Sequence, residues 1–362
     1  MTLYTPSPST CAVSVVIPMF NAEKYIGALL ESLLAQTFTN FEVIIVDDCS
    51  TDSSCAIVES YAEKFNGRLK LSRMKTNSGN PGAPTNRGIG LAVGKYIYQL
   101  DNDDMLTNGA IKELYNAAEH FNVEVVQTDR YIFFNDDPKK PVPSPESLLV
   151  SKGIIDKAAF LPNDINERMK IFCNNFVRVM GWLKFVRRDF LVENRITFQE
   201  DVPASQDIIW TIELLFYAKR YLLIPQPLYV YRQRANSVSH CPRRGADSIK
   251  YRGHLLVKGA DYLCRFFARH KFFQENPQCA YLLLDWLERR YYRGFTNAFQ
   301  TVPPPQAQRV LEKFFAAEFG EHCGLVSYLC TSVNVSRLNQ NLLTRRVNEL
   351  EQKLKQLTDA AK

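Results

Sequence analysis

The chain has 362 residues, 46% hydrophobic and 23% charged, with a formal net charge of +6. It has no compositionally biased tract, no apolar run of membrane-spanning length, and no basic segment in its N-terminus MTLYTPSPST. Those features fit a globular chain with ample core and argue against secretion or a bilayer span. Nine cysteines lie scattered without a CxxC pair, so a reducing, cytoplasmic setting is expected, with Cys11, Cys49 and Cys55 as small buried hydrophobes.

Over the first half of the chain, strands and helices alternate. SVVIP (14–18) is a continuously apolar strand, and Ile26, Leu29, Leu30, Leu33 and Leu34 then recur at helical spacing. FEVIIVDD (41–48) is a second strand, followed by an N-cap at Ser50 or Thr51 and a helix presenting Ala56, Ile57, Ser60 and Tyr61 on one face. RLKLSRM, KYIYQLD and VEVVQTD supply three more strands. Apolar strands separated by helices predict an α/β fold with a mostly parallel sheet flanked by helices. Ligands in such sheets gather beyond the carboxyl ends of the strands. The polar groups Asn21, Asp47, Asp48, Asn77 to Gly82 and Asp101 to Asp104 fall there. No GxGxxG follows the first strand, which excludes a Rossmann dinucleotide site.

The strand end at Asp101, Asp103 and Asp104 is the sharpest local signal. Three carboxylates within four residues repel unless a cation lies between them, and Mg²⁺ or Mn²⁺ so held completes its shell with substrate phosphates. An acidic Asx-type turn is the plainer alternative.

Beyond Tyr131 the proline-rich stretch FFNDDPKKPVPSPESLL reads as a binding loop bordering an acceptor. An all-helical C-terminal domain is expected over 241–335, on apolar positions such as Leu255, Leu256, Ala260, Leu263 and Phe267, then Leu283, Trp286, Tyr291 and Phe295. Leu343, Val347, Leu350, Leu354 and Leu357 form a short heptad seam within 336–362, which either joins a homo-oligomer interface or packs on its own domain. From Cys241 onward 19 Lys and Arg stand against 11 Asp and Glu, so that part carries about +8 and the first 240 residues about −2. Interleaved aromatics, as in CRFFARHKFF, fit either a solvated basic face or an anionic membrane surface. No pattern of a known nucleic-acid module appears, so nucleic acid is not an expected partner.

Three runs resemble the family 2 glycosyltransferases of the GT-A fold across roughly residues 13–240: SVVIPMFNAEKYIGALLESLLAQTFTNFEVIIVDDCSTDSS, NPGAPTNRGIGLAVGKYIYQLDNDDML and SQDIIWTIELLFYAKRYLLIPQPLYVYRQRANS. The resemblance, not specific for sugar or acceptor, implies a nucleotide-diphosphate sugar donor, Mn²⁺ or Mg²⁺, and transfer with inversion; a UDP-sugar donor and a glycan or lipid-linked acceptor are the expectation. It makes 13–240 the GT-A domain, which leaves residues 1–12 as a tail and 241–335 as the helical domain expected from apolar spacing. Pro18, Phe20, Asn21 and Glu23 match the donor loop, where the aromatic packs on the base. Asp48 matches the carboxylate that accepts from uracil, since a carboxylate cannot donate to a base. Asn77, Gly79, Asn86 and Arg87 fall in the second donor segment. Asp101, Asn102 and Asp103 occupy the DxD positions, with Asp103 and Asp101 as metal ligands. Asp104 is expected behind them or, with Trp182 and Lys184, toward the acceptor. Asp207 matches the catalytic base, and Arg232 and Arg234 a segment that reaches back over the diphosphate. Phe20 could instead be strand-end packing, and Asp48 and Asp207 could be helix caps. Arg187 and Arg188 read as solvated helix residues.

Thr85 and Gln206 stand where relatives carry Arg and Glu, and Cys49 where Gly is common, which an ordinary φ there would tolerate. The absence of membrane spans and of QxxRW after Asp207 speaks against a processive synthase. A peripheral enzyme at the inner membrane face, making single additions in surface-glycan synthesis, is expected. The rival is an inactive nucleotide-sugar or glycan binder on the same fold.

Overall fold

The computed structural model describes residues 11–137, 143–202, 206–234 and 245–300. In chain order the elements are β1 (Val13–Met19), α1 (Ile26–Leu34), β2 (Phe41–Asp47), α2 (Ser54–Ser60), β3 (Leu69–Arg73), α3 (Gly82–Leu91), β4 (Tyr96–Gln99), β5 (Met105–Leu106), α4 (Ala110–Phe121), β6 (Val125–Thr128), β7 (Ile132–Asn135) and β8 (Leu149–Val150). They continue as β9 (Ala159–Phe160), α5 (Ile165–Cys173), β10 (Lys184–Arg187), α6 (Arg188–Asn194), α7 (Gln206–Tyr217), β11 (Tyr221–Ile224), β12 (Tyr229–Gln233), α8 (Gly245–Arg269), α9 (Lys271–Glu275) and α10 (Pro277–Gln300). The described residues form two compact units, one of 11–234 with Asp261–Trp286, the other of 245–260 with 287–300.

In the first unit an eight-stranded sheet runs β3-β2-β1-β4-β10-β6-β11-β9. β1 pairs in parallel with β2 and β4, β2 with β3, and β6 with β11. β10 lies antiparallel between β4 and β6, and β9 antiparallel at the edge. The expected mostly parallel α/β sheet is present. A second sheet, β5-β12-β7-β8, stands beside the acidic strand end. Every residue of β1 and β2 is buried, because helices cover both faces of the sheet. On one side Ile26, Leu29, Leu30 and Leu33 of α1 lie in the core. On another α3 comes so close to β1 that a Cβ on Gly88 would lie 2.4 Å from Val16 Cγ1.

The helical C-terminal region is present among the described residues. In the first unit it packs by aromatic contact, Phe216 stacking on Phe273 at 5.3 Å and meeting Phe266 edge-on at 5.2 Å. In the second, Gly259 of α8 allows close approach to Leu287 of α10. The heptad seam of 336–362 and the oligomer interface drawn from it lie outside the described residues.

Several expectations are corrected. α2 begins at Ser54 with Ser53 as its N-cap and buries Ser54 and Val58; of the expected face Ile57 and Tyr61 pack partly buried against the core, while Ala56 and Ser60 are exposed. Ser50 and Thr51 are occupied in bracing the loop after β1. Cys11, Cys49 and Cys55 are half-buried. Arg187 closes β10 and Arg188 is buried, its Nε donating to Gly94 O at 2.9 Å, so neither is a solvated helix residue.

Candidate active site

β1 delivers its C-terminal end to the site. Phe20, just past it, is 47% exposed, and Asn21 turns the chain with φ +47°. Asn21 and Glu23 then tie this loop to the one after β2. Asn21 N donates to Ser50 Oγ at 2.9 Å, and its Oδ1 accepts from Thr51 N at 2.9 Å. Glu23 Oε2 accepts from Ser53 N at 3.1 Å, while Asp52 accepts from Glu23 N. Both expected donor contacts therefore brace loops here.

At the end of β2, Asp48 is 4% exposed and neither caps α2 nor faces open solvent. Its carboxylate accepts from Ser78 N at 2.9 and 3.1 Å and from Ser78 Oγ at 2.8 Å. Asn77 Nδ2 donates to Asp48 O at 2.7 Å, and Gly79 holds φ +77°, which closes the 77–80 turn. Asn80 Oδ1 accepts from Gly82 N and from Gln206 Nε2, the latter at 2.7 Å, so Gln206 joins this turn to α7. Thr85 is buried and bonds Pro81 O at 2.6 Å, and Asn86 exchanges two bonds with Phe198. Arg87 does not join the cluster: its Nε donates to Ser72 Oγ of the edge strand β3.

The acidic segment follows β4. Asn102 Nδ2 donates to Pro18 O at 3.0 Å, which links it to the β1 end. Carboxylate atoms of Asp101, Asp103 and Asp104 lie within 4.8 Å of one another. Asp104 is enclosed: Tyr229 OH donates to its Oδ2 at 2.6 Å and Arg232 N to its Oδ1 at 2.7 Å. That burial removes it from any acceptor contact. Arg232 is fully buried, its Nε on Asp103 O and its Nη1 on Asp136 Oδ1 at 3.0 Å. It supports the segment from beneath and does not reach over a diphosphate. Arg234, 28% exposed, pairs with Asp103 Oδ2 at 2.5 Å. The Tyr25 ring lies under both guanidinia, at 5.0 and 4.9 Å.

Burial first, and then the charges of Asp103 and Asp207, push Asp101 up to about 7. Burial also raises Asp103 and Asp104. A set of hard oxygen donors that resist ionisation together is chemically fitted to a divalent cation, and Arg234 now stands against one of them.

Asp207, in the first turn of α7, is half-buried and so keeps an open side. Burial raises its pKa, opposed by the Lys184 charge and by the Gly181 amide beside it. A Cβ on Gly181 would lie 3.0 Å from both Asp207 Oδ1 and Gln99 Oε1, while Gln99 Nε2 donates to Asp101 Oδ1 at 2.9 Å. Gln99 therefore stands between Asp207 and the acidic segment.

Trp182 is buried, stacked on Tyr229 at 4.2 Å and Tyr231 at 5.6 Å, and Lys184 is 0% exposed. Both lie behind the site, which corrects the expectation that they meet an acceptor. Sequence reading missed Gln99, Gly181, Tyr229 and Tyr25. A glutamine inside the apolar run before Asp101 was the available signal for the first.

The model of the family "Glycosyl transferase family 2" matches residues 14–190. The uncharacterized glycosyltransferase YibD of Escherichia coli is 33% identical over 250 residues, 68% of this chain and 69% of that protein. The poly(ribitol-phosphate) beta-N-acetylglucosaminyltransferase TarS of Staphylococcus aureus is 30% identical over 224 residues, 60% of this chain but 35% of TarS. The crystal structure of TarS 1-349 in complex with UDP-GlcNAc superposes with a TM-score of 0.61 and 26% identity, covering 84% of this chain and 81% of that one. Identity of this extent to YibD, spread over more than two thirds of both chains, goes beyond a shared fold, and the chain belongs to the family 2 glycosyltransferases.

Proposed function

We propose that this glycosyltransferase moves a hexosyl or N-acetylhexosaminyl group from a UDP-sugar to a hydroxyl of a glycan or lipid-linked acceptor, one addition at a time and with inversion, in surface polysaccharide synthesis. The observation that carries the reading is the pairing across Gln99 of a half-buried carboxylate, Asp207, with the acidic strand end at Asp101 and Asp103. The likeness to a UDP-GlcNAc complex supports the donor class, and the match to TarS supports a polyol-phosphate or glycan acceptor.

Phe20 packs on the nucleobase. Asp48 shapes the base pocket by holding Ser78, with its remaining lone pairs available to an N–H of uracil. A Mn²⁺ or Mg²⁺ held by Asp101 and Asp103 would neutralise charge on the departing diphosphate. Asp207 takes the proton of the acceptor hydroxyl, whose oxygen attacks the anomeric carbon on the side opposite the nucleotide. Attack from that side inverts the configuration. Among the described residues no helix is long and apolar enough to cross a membrane. The basic C-terminal third is the proposed contact with an anionic membrane surface, and absence of salt-sensitive flotation with anionic liposomes would remove that element.

The test is UDP release from UDP-sugars with Mn²⁺ or Mg²⁺ against chelator, in wild type, Asp103→Ala and Asp207→Asn. Metal-dependent release that drops about 100-fold or more in both variants, with UDP binding kept in Asp207→Asn, is the expected result. Binding of UDP-sugar without release in wild type, with or without candidate acceptors, would point to the inactive binder.

A further inference from the structure

Lys184 is the one described lysine with its side chain fully enclosed, at the start of a central strand, and the mechanism above does not use it. Its Nζ donates to Arg178 O at 2.9 Å and Met180 O at 2.8 Å. Thr211 Oγ1 lies 2.5 Å from Asp207 O and 3.0 Å from Val179 O, between them. Lys184 thus holds the carbonyls on both sides of Val179. In a trans peptide the C=O and N–H point in opposite directions. Aiming Met180 C=O at Lys184 therefore aims the N–H of the same peptide, that of Gly181, the other way. On that side lies the Asp207 carboxylate, whose Oδ1 would stand 3.0 Å from a Cβ at position 181, so glycine allows the close approach.

We propose that Lys184 is a positioning residue for the catalytic base, acting through the single peptide group between Met180 and Gly181, whose carbonyl it binds and whose other side faces Asp207. The ammonium orients that peptide, adds to its polarity and keeps Asp207 ionised at the pH where a base is needed. A neutral donor could satisfy two carbonyls, and a buried ammonium carries a desolvation penalty that pulls its own pKa down to about 7. The charge is useful in that place because Asp207 is the carboxylate it acts on. The charged groups acting on Asp207 are Lys184, which favours its ionised form, and Asp101, which is repelled by it.

The inference rests on Asp207 being the base, so two readouts are combined. The first is the pH dependence of UDP-GlcNAc hydrolysis with Mn²⁺, water replacing the acceptor, together with UDP affinity by calorimetry. In Lys184→Met the acidic limb is expected to move up by about one pH unit and the rate at pH 6 to fall about tenfold, with UDP affinity within about twofold. Lys184→Gln keeps a hydrogen-bond donor without the charge and should move the limb equally, which covers the case that Lys184→Met does not fold. The second readout needs no turnover: the ¹³C carboxyl resonance lost in Asp207→Asn is titrated in wild type and in both variants. Its midpoint must rise when Lys184 is replaced. An unmoved limb and an unmoved midpoint in folded variants overturn the inference. Absence of hydrolysis in wild type, or its survival in Asp207→Asn, counts against the proposed function, and the carboxyl titration then decides on Lys184 alone.

Discussion

Cys49 holds φ +65°, a left-handed backbone that costs a residue with a Cβ about 1–2 kcal/mol and glycine almost nothing. Cys in place of Gly is tolerated without strain only at an ordinary φ, and the turn between Asp48 and the 77–80 loop imposes the left-handed one. Cys49→Gly should raise stability by about 0.5–1 kcal/mol, less than the full strain because glycine gains backbone entropy when unfolded and the Sγ contact to Met74 O is lost. A thermal melt that moves down would contradict this. Arg234 poses a different question, since it neutralises Asp103 by direct contact. A divalent cation proposed for that carboxylate must compete with a guanidinium at 2.5 Å. Arg234→Ala is therefore expected to bind Mn²⁺ about tenfold more tightly without nucleotide, about 1.4 kcal/mol, measured by calorimetry. Equal affinity in the two proteins would show that Arg234 and the metal use Asp103 without competing. The acidic residues themselves were legible, because three carboxylates in four positions have few structural uses. Which of them face outward was not: Asp104 is closed off by Tyr229 and Arg232, more than a hundred residues away in sequence.

Among the elements, α3 carries Thr85, Asn86 and Arg87, and its tightest approach to the sheet is Gly88 on Val16 of β1. Gly88→Ala inserts a methyl 2.4 Å from Val16 Cγ1, so the helix or the strand must give. The expected cost is about 1–3 kcal/mol in urea unfolding, and Val16→Ala in the same chain should recover part of it. If the double variant is merely the sum of the two singles, the close approach is not what sets α3. Short strands were the least legible elements. β10 was hidden in a stretch that looks like a charged helix, because Lys184 and Arg187 are cationic yet sit inside the sheet. Their side chains find carbonyls, of Arg178 and Met180 for one and of Val123 for the other, and hydropathy does not register that kind of burial.

At the scale of the whole molecule, stability should depend on pH through Glu213. It is buried in α7, accepts a 2.5 Å bond from Tyr262 OH, and is pushed up to about 7 by burial against the opposing effects of Tyr262 and Arg269. The folded state therefore holds its proton more tightly than the unfolded chain, whose carboxyl titrates near 4.5. The contribution is complete below pH 4.5 and is lost as pH rises through about 7, a fall of at most about 3 kcal/mol. Urea midpoints between pH 4.5 and 7.5 should decline in wild type and lose that slope in Glu213→Gln. By itself the sequence determined the alternation of strands and helices, the mostly parallel sheet, the family, and the convergence of strand ends on a polar site, because apolar periodicity and clustered carboxylates are local properties of the chain. Only the tertiary structure decided that Glu23, Asp48 and Arg232 brace loops, that Trp182 and Lys184 lie behind the site, and that Gln99 and Gly181 stand beside Asp207. Those roles depend on which distant backbone groups are left to be satisfied once the sheet has formed, and no local pattern carries that information.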